Sequence, residues 1–299
     1  TWQEQSILFW ACTLAFAVKV PMWPVHTWLP DAHTQAPAGG SVMLAALMLK
    51  VGAFGFYRFV LPVMPEACHA FAPIMVGLSL FSVVFIGLVT LAQTDIKKLI
   101  AYASIAHMGI VTMGIFLIFL LEEGLVKEGG MLALEGSVIQ MIAHAFSSGG
   151  LFLAFGLIYH RLHTRNISDF GGLAKVMPKM TALFVVFALS NLGLPGTGGF
   201  VGEMLVIIAS YQVHLGLALA TASTVVLSAA YTLWMIRRVC YGRITNTDML
   251  LIEDIKGRET FVLGVLALLV LWVGLYPAGW AHLLAQSCQD IMEISLELY

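Results

Sequence analysis

The stretch LAFAVKVPMWPVHTWLP (residues 14–30) decides the fold, because it places a charge and several prolines inside an apolar run. Lys19 lies just before Pro21 and Pro24, in a segment that is otherwise suited to a helix. A proline inside a helix removes one backbone hydrogen bond and clashes with the preceding turn. The stretch therefore predicts a helix that is broken near its middle, with a titratable lysine beside the break.

The composition predicts that the helices lie in a membrane. Of the 299 residues, 60% are hydrophobic and 11% are charged, whereas a soluble domain has roughly 45–50% apolar and 25% charged residues. Open sheets cannot satisfy their backbone groups in lipid, and a spanning helix needs about 20 apolar residues. We therefore predict an all-α, polytopic transmembrane bundle over residues 1–280, followed by a short interfacial tail at 281–299. The eight predicted spans are 5–30, 40–61, 72–93, 97–121, 131–160, 179–211, 215–240 and 260–280.

A second break is predicted in the sixth span, at NLGLPGTGGF (residues 191–200). It contains Pro195 and Gly196, and Glu203 follows shortly after it. Freed backbone groups are tolerated at membrane depth only where they line a protein interior or water. Interrupted helices at corresponding places in two halves of a chain are typical of transporters and mark their binding site. The alternative for each break is a kink that serves packing alone.

Five ionisable side chains lie within long apolar runs. A charge at mid-depth costs roughly 2.5–3.5 kcal/mol on insertion scales, so such residues usually have a function. Burial lowers the pKa of a lysine and raises that of a carboxylic acid, and histidine titrates near neutral pH. A row of such groups predicts a proton relay through the membrane interior. The alternative is structural: an interior histidine with satisfied nitrogens, or a charge that caps a broken helix end. The five residues are Lys19, Lys50, His107, His144 and Glu203.

Three polar residues follow the first break in PVHTWLPDAH (residues 24–33). His26, Asp31 and His33 are candidates for a proton uptake site at the inner mouth of the first span. A hydrogen-bonded loop without a function in proton transfer is the equal alternative.

The distribution of Lys and Arg predicts the orientation, because cytoplasmic loops of membrane proteins are enriched in these residues. Eleven of the fifteen fall on one side of the predicted topology and two on the other, and the remaining two are Lys19 and Lys50. Both ends of the chain are therefore expected on the outer side. The eleven inner residues are Lys97, Lys98, Arg161, Arg165, Lys175, Lys179, Arg237, Arg238, Arg243, Lys256 and Arg258, and the two outer ones are Arg58 and Lys127.

Several classes of function find no support in the sequence. The chain has no Gly-rich nucleotide motif and no P-loop, and its four cysteines are scattered, so we expect no cofactor and no metal site in it. A net charge of −2 gives no indication of a nucleic-acid partner. The expected surroundings are the lipid bilayer and other membrane proteins.

Three long blocks resemble the antiporter-like subunits of respiratory complex I, which are related to Mrp-type cation/proton antiporters and to membrane-bound hydrogenase subunits. The blocks are KVPMWPVHTWLPDAHTQAPAGGSVMLAALMLKVGAFGFYR (19–58), TDIKKLIAYASIAHMG (94–109) and MIAHAFSSGGLFLAFG (141–156). The resemblance implies an inverted-repeat fold of fourteen helices, in which the first span here is the seventh helix and the sixth span is the twelfth. Both of those helices are discontinuous in the family.

The resemblance also implies roles for the five ionisable residues. Lys19 would carry protons in the first half-channel, and Lys50 would be the central lysine. His107 and His144 would lie on the axis that connects the half-channels, and Glu203 would be the terminal carboxylate of the second. Sister branches of the family usually carry a lysine at that last position, so Glu203 favours one branch over the others.

One feature departs from the family pattern. The partner glutamate of the lysine at position 19 lies on an earlier helix, and the first six helices are not in this chain. Three alternatives follow: the sequence is part of a longer protein, the gene is interrupted, or a separate chain supplies these helices.

Three functions follow as hypotheses. The first is proton translocation as a subunit of an NADH:quinone oxidoreductase in a bacterial or mitochondrial inner membrane, next to other membrane subunits that include antiporter-like ones. Electron transfer would take place elsewhere in the complex. The second is an Mrp-type or hydrogenase-associated antiporter, and the third is a structural membrane module that does not conduct protons.

Overall fold

The computed structural model describes residues 1–244 and 246–296, and this part of the chain is helical without a β-strand. Two short helices, Pro178–Leu192 and Gly198–Val213, replace the predicted sixth span, and six other helices are long and apolar enough to cross a membrane. The prediction of an all-α bundle with two discontinuous helices is confirmed. The helices are α1 Trp2–Lys19, α2 Trp28–Gln35, α3 Ala38–Val63, α4 Pro65–Leu91, α5 Ile96–Leu117, α6 Val126–Leu162, α7 Pro178–Leu192, α8 Gly198–Val213, α9 Leu215–Val239, α10 Arg258–Leu275 and α11 Pro277–Leu296.

The long helix α6 forms the centre of the bundle and packs against α3, α5, α7, α8, α10 and α11. With 37 residues and a rise of 1.5 Å per residue it is about 55 Å long, longer than the roughly 30 Å hydrocarbon core. Helix α5 lies beside it and is buried throughout, except at Lys98 and Tyr102. Asp95 caps the first turn of α5 by accepting hydrogen bonds from the backbone amides of Lys97 and Lys98, at 2.8 and 3.2 Å.

Helices α6 and α8 cross in backbone contact. A Cβ atom added at Gly202 would lie 2.6 Å from the backbone nitrogen of Gln140 and 2.7 Å from its Cα. A Cβ added at Gly136 would lie 3.1 Å from the carbonyl oxygen of Gly202. Small residues are what allows two membrane helices to approach this closely.

Both predicted breaks are present. Residues 20–27 separate α1 from α2, and residues 193–197 separate α7 from α8. Helix α7 ends at Gly193, which has a φ of 80°, and Gly196 has a φ of 92°. Glycine occupies these left-handed conformations without the steric cost of a Cβ atom. The second break therefore depends on its glycines as much as on Pro195.

Helices α3 and α4 contain irregularities that the sequence does not announce. Leu44–Met48 and Phe56–Val60 in α3 form π-helical turns, and so does Ser82–Ile86 in α4. Single π turns occur frequently at functional sites. The first of them directly precedes the segment that carries Lys50.

Two predicted boundaries differ from the structure. The third predicted span begins at residue 72, but α4 begins at Pro65 and continues through Pro73. The helix can start at Pro65 because proline at the first position of a helix loses no hydrogen bond. At the C-terminus, α11 begins at Pro277 and packs against α6. Its Cys288 and Met292 are buried, so this segment is an ordered part of the bundle up to Leu296.

Gly202→Ala is expected to destabilise the bundle, because its Cβ would meet backbone atoms of α6 that cannot move aside. Overpacking of this kind typically costs about 1–3 kcal/mol. Gly264→Ala in α10 is the matched control, since a Cβ there meets nothing within 4 Å. The measurement is the thermal unfolding of the detergent-solubilised protein. Equal midpoints for the two variants would contradict the assigned contact.

Candidate functional site

Lys50 and His144 form the first pair of the site. The Lys50 Nζ lies 2.6 Å from His144 Nδ1, and it also donates a hydrogen bond of 2.6 Å to the carbonyl oxygen of Ala45. Ala45 belongs to the π turn of α3, where the helical hydrogen-bond ladder is irregular. A protonated lysine can only donate, so His144 Nδ1 then accepts, and the neutral ring carries its proton on Nε2. Two positive charges at this distance would repel each other, so the pair shares one.

His107 and Glu203 form the second pair. His107 Nδ1 lies 2.7 Å from Glu203 Oε1, and both side chains are buried. The Gln140 amide donates to the same carboxylate oxygen at 3.1 Å. On the other side of the ring, the Tyr231 hydroxyl lies 3.3 Å from His107 Nε2. The Glu203 carboxyl group therefore has two hydrogen-bonding partners, and a buried polar group needs such partners to offset the loss of water.

A narrow polar space separates the two pairs. The ring centroids of His107 and His144 are 5.9 Å apart, with an angle of 50° between the planes. The space between them is too narrow for a water molecule. Within the described residues several buried polar atoms around it have no hydrogen-bond partner, namely His144 Nε2, Gln140 Oε1, Ser190 Oγ and Asn191 Oδ1.

The second break runs directly past the carboxylate. A Cβ atom at Gly193 would lie 3.2 Å from Glu203 Oε2. The Glu203 side chain therefore lies directly against the backbone of the second break. Ser190 and Asn191, in the last turn of α7, border the narrow space on the same side.

Lys19 does not join these groups. It is the last residue of α1, its side chain is exposed, and it forms no ion pair with the described residues. The expectation that the chain buries Lys19 was therefore wrong. Helix α1 packs mainly against α3 and α4, and the ring of its Phe9 also meets Phe116 of α5. Helix α3 approaches Lys19 closely at Gly52, since a Cβ added there would lie 2.8 Å from Lys19 Cβ.

The three residues after the first break have different environments. Asp31 is exposed and forms a 2.9 Å ion pair with Lys98. His26 is buried. His33 is fully buried, neither of its ring nitrogens has a partner within the described residues, and the ring stacks on Phe152 at 4.3 Å. Asp31 therefore differs from the two histidines in its environment: its side chain is exposed, and theirs are buried.

A cavity of about 380 Å³ is lined by residues 34–38, which directly follow His33 in the chain. Its lining includes Lys97, Tyr159, His160 and His163. The Lys97 Nζ donates to the carbonyl oxygens of His33 and Ala36, at 3.2 and 2.8 Å. The sequence places Lys97 among the cations at the inner ends of the spans, and the structure buries it against this cavity.

Gln140 and Tyr231 belong to the site and are not among the predicted residues. Both are polar side chains inside apolar runs, which is the signal that identified the five ionisable groups. Neither titrates near neutral pH, so a search for charges passes over them. No group of three or more His, Cys, Asp or Glu side chains among the described residues is placed to hold a metal ion.

Comparison with known proteins defines the class of the chain. Residues 1–228 match the family model described as NADH:quinone oxidoreductase/Mrp antiporter, TM. NADH-quinone oxidoreductase subunit M of Rhodobacter capsulatus is 45% identical over 97% of this chain. NADH-ubiquinone oxidoreductase chain 4 of Chondrus crispus is 40% identical over 97%. A chain in the structure of respiratory complex I from Thermus thermophilus with bound NADH superposes with a TM-score of 0.86, at 30% identity over 97% of this chain.

The chain belongs to the NADH:quinone oxidoreductase/Mrp antiporter family of multi-pass membrane proteins. It spans 54% of the length of the R. capsulatus protein, 57% of the C. crispus protein and 59% of the T. thermophilus chain.

Proposed function

We propose that this chain translocates protons as part of an NADH:quinone oxidoreductase, in the position that subunit M or chain 4 holds among its relatives. The observation that carries the proposal is the row of two buried pairs, Lys50–His144 and His107–Glu203, each with a contact of 2.7 Å or less. The names of relatives 40–45% identical over nearly the whole chain support the NADH-linked assignment over an Mrp-type antiporter.

Proton transfer within each pair follows from its hydrogen bonds. Lys50 can pass a proton to His144 Nδ1 while the proton on Nε2 leaves on the opposite side of the ring, because imidazole has two nitrogens. His107 and Glu203 together accept one proton more easily than two, since the ring and the carboxylate neutralise each other. Each pair therefore changes its charge by one when a proton passes.

Transfer between the pairs requires a movement. Because the space between His107 and His144 is too narrow for a water molecule, the rings or their neighbours must shift before a bridge can form. The unpartnered atoms of Ser190, Asn191 and Gln140 would then hydrogen-bond the bridging water. A change of charge in a neighbouring subunit can drive such a two-state shift only if the two states differ in protonation.

Electron transfer is assigned to other subunits, and we expect no redox centre in this chain. The excess of Lys and Arg on one side supports an orientation with both ends of the chain outside. The cavity lined by residues 34–38 is also lined by Lys97, His160 and His163, and it is proposed as the inner mouth of the path to Lys50. The role of Lys19 in a first half-channel stays a prediction.

Glu203→Gln is expected to lower both NADH-driven quinone reduction and proton pumping tenfold or more, because positioned proton-transfer groups are worth about 10²–10⁴ in rate. The amide keeps the shape of the side chain but cannot carry the proton. Both activities are measured in the same inverted vesicles that contain the assembled complex.

Glu135→Gln is the matched control, since Glu135 is a partly buried carboxyl on α6 outside both pairs. It should leave both activities near the wild-type level. Wild-type activity in Glu203→Gln would refute the relay. A complex that assembles with full reductase activity but does not pump would refute the tight coupling.

His33→Leu is expected to slow pumping several-fold, because it removes a buried titratable group whose backbone carbonyl binds Lys97 at the inner cavity. Asp31→Asn is the comparison on the same helix. It breaks only an exposed ion pair with Lys98, and such pairs are worth about 0.2–1 kcal/mol. The readout is the initial rate of acidification in vesicles with equal amounts of assembled complex. If Asp31→Asn abolishes pumping and His33→Leu pumps normally, protons are taken up through the exposed Asp31–Lys98 ion pair instead.

A further inference from the structure

A second cavity lies at the predicted inner end of α9, away from the relay. It encloses about 810 Å³, within the usual range of roughly 300–1,000 Å³ for ligand pockets. Its lining contains four basic residues and no carboxylate. The basic residues are Lys175, Arg237, Arg238 and Arg243.

These four cations differ from four of the seven other basic residues on the same predicted side of the protein. Lys98, Arg161, Arg165 and Lys256 each form an ion pair with a carboxylate. Within residues 1–244 and 246–296, no such pair is formed by the four cations of the cavity. Their charges therefore remain available to an anion from outside the chain.

Two aromatic side chains, Trp234 and Tyr241, complete the wall of the cavity. The guanidinium carbon of Arg238 lies 4.5 Å from the centroid of the Trp234 ring. This contact holds the arginine by a cation–π interaction. Tryptophan, tyrosine and arginine together are typical of the level where lipid head groups meet water.

An apolar stripe on α9 leads to the cavity. Leu219, Val226 and Leu233 recur every seven residues and have exposed fractions of 64%, 70% and 50%. Arg237 follows Leu219 by five helical turns at 3.6 residues per turn, so it lies on the same face. The stripe therefore continues from the membrane interior into the basic cavity.

We propose that this cavity binds the phosphate-bearing head group of an anionic phospholipid, with the acyl chains along the stripe of Leu219, Val226 and Leu233. Arginine binds phosphate oxygens in pairs of hydrogen bonds, and basic pockets of membrane proteins on this side bind multiply charged lipid head groups. Four cations match a lipid with two phosphates better than one with a single phosphate. The adjoining apolar stripe favours a lipid over a soluble phosphate.

The test compares Arg238→Gln/Arg243→Gln with the wild type, both as assembled complexes stripped of lipid by detergent. A two-phosphate phospholipid is added, and its retention is measured by native mass spectrometry and by titration of thermal stability. The double variant is expected to bind at this site on the order of tenfold to thirtyfold more weakly, since each basic residue near a membrane surface contributes about 1 kcal/mol. Arg258→Gln is the control, because this arginine lies on the same side but outside the cavity.

Three results would overturn the proposal. Equal retention of the lipid by the wild type and the double variant would remove the cavity as its site. Equal stabilisation by inorganic phosphate alone would show a soluble anion site. Failure of the wild-type complex to take up the lipid, with the four residues protected from chemical labelling, would show that another subunit covers them.

Discussion

The contact between α6 and α8 at Gly202 sets the geometry of the membrane interior. With no side chain between the two backbones, one turn of α6 brings Gln140 and His144 to the same level as Glu203. Helix α5 then places His107 against the carboxylate from the other side. A wider separation of α6 and α8 would remove the amide of Gln140 from Glu203 and leave the buried carboxyl group with His107 as its one remaining hydrogen-bond partner among the described residues. The hydrogen bonds to Glu203 therefore depend on the absence of a side chain at Gly202.

The two pairs solve the same problem by different means. Burial penalises a lone charge heavily. Lys50 and His144 reduce this penalty by holding one positive charge between them, whereas His107 and Glu203 can be neutral as a pair. The Lys50–His144 pair has a net charge of +1 with its shared proton and is neutral without it. The His107–Glu203 pair is neutral with one proton, and gaining or losing a proton changes its net charge by one. In either pair, a proton can be gained or lost while the hydrogen bond between the two side chains is kept. Irregular backbone lies beside both: a π turn next to Lys50 and a broken helix next to Glu203.

The fold could be predicted wherever side chains dictate the backbone. Pro195 and Gly196 predict the second helix break, and long apolar runs predict the membrane-spanning helices. The π turns of α3 and α4 have no such signal, because ordinary helix-forming residues occupy them and tertiary packing decides the register. The prediction that Lys19 is buried was wrong for a related reason. A charged residue in an apolar run indicates its depth in the membrane, but the packing of neighbouring helices decides whether its side chain is exposed. Gln140 and Tyr231 required the three-dimensional arrangement, since their importance comes from what they touch.

The narrow space between His107 and His144 also has an electrical consequence. One elementary charge that crosses the membrane dissipates about 2.3 kcal/mol per 100 mV of potential. A permanently hydrated row of acids and bases would act as a leak and discharge the membrane whether or not work was being done. If the chain carries protons as proposed, the space between the two rings, which is too narrow for a water molecule, would interrupt such a row in this conformation. The interruption in the row is thus what would allow the membrane to store the energy of each transfer.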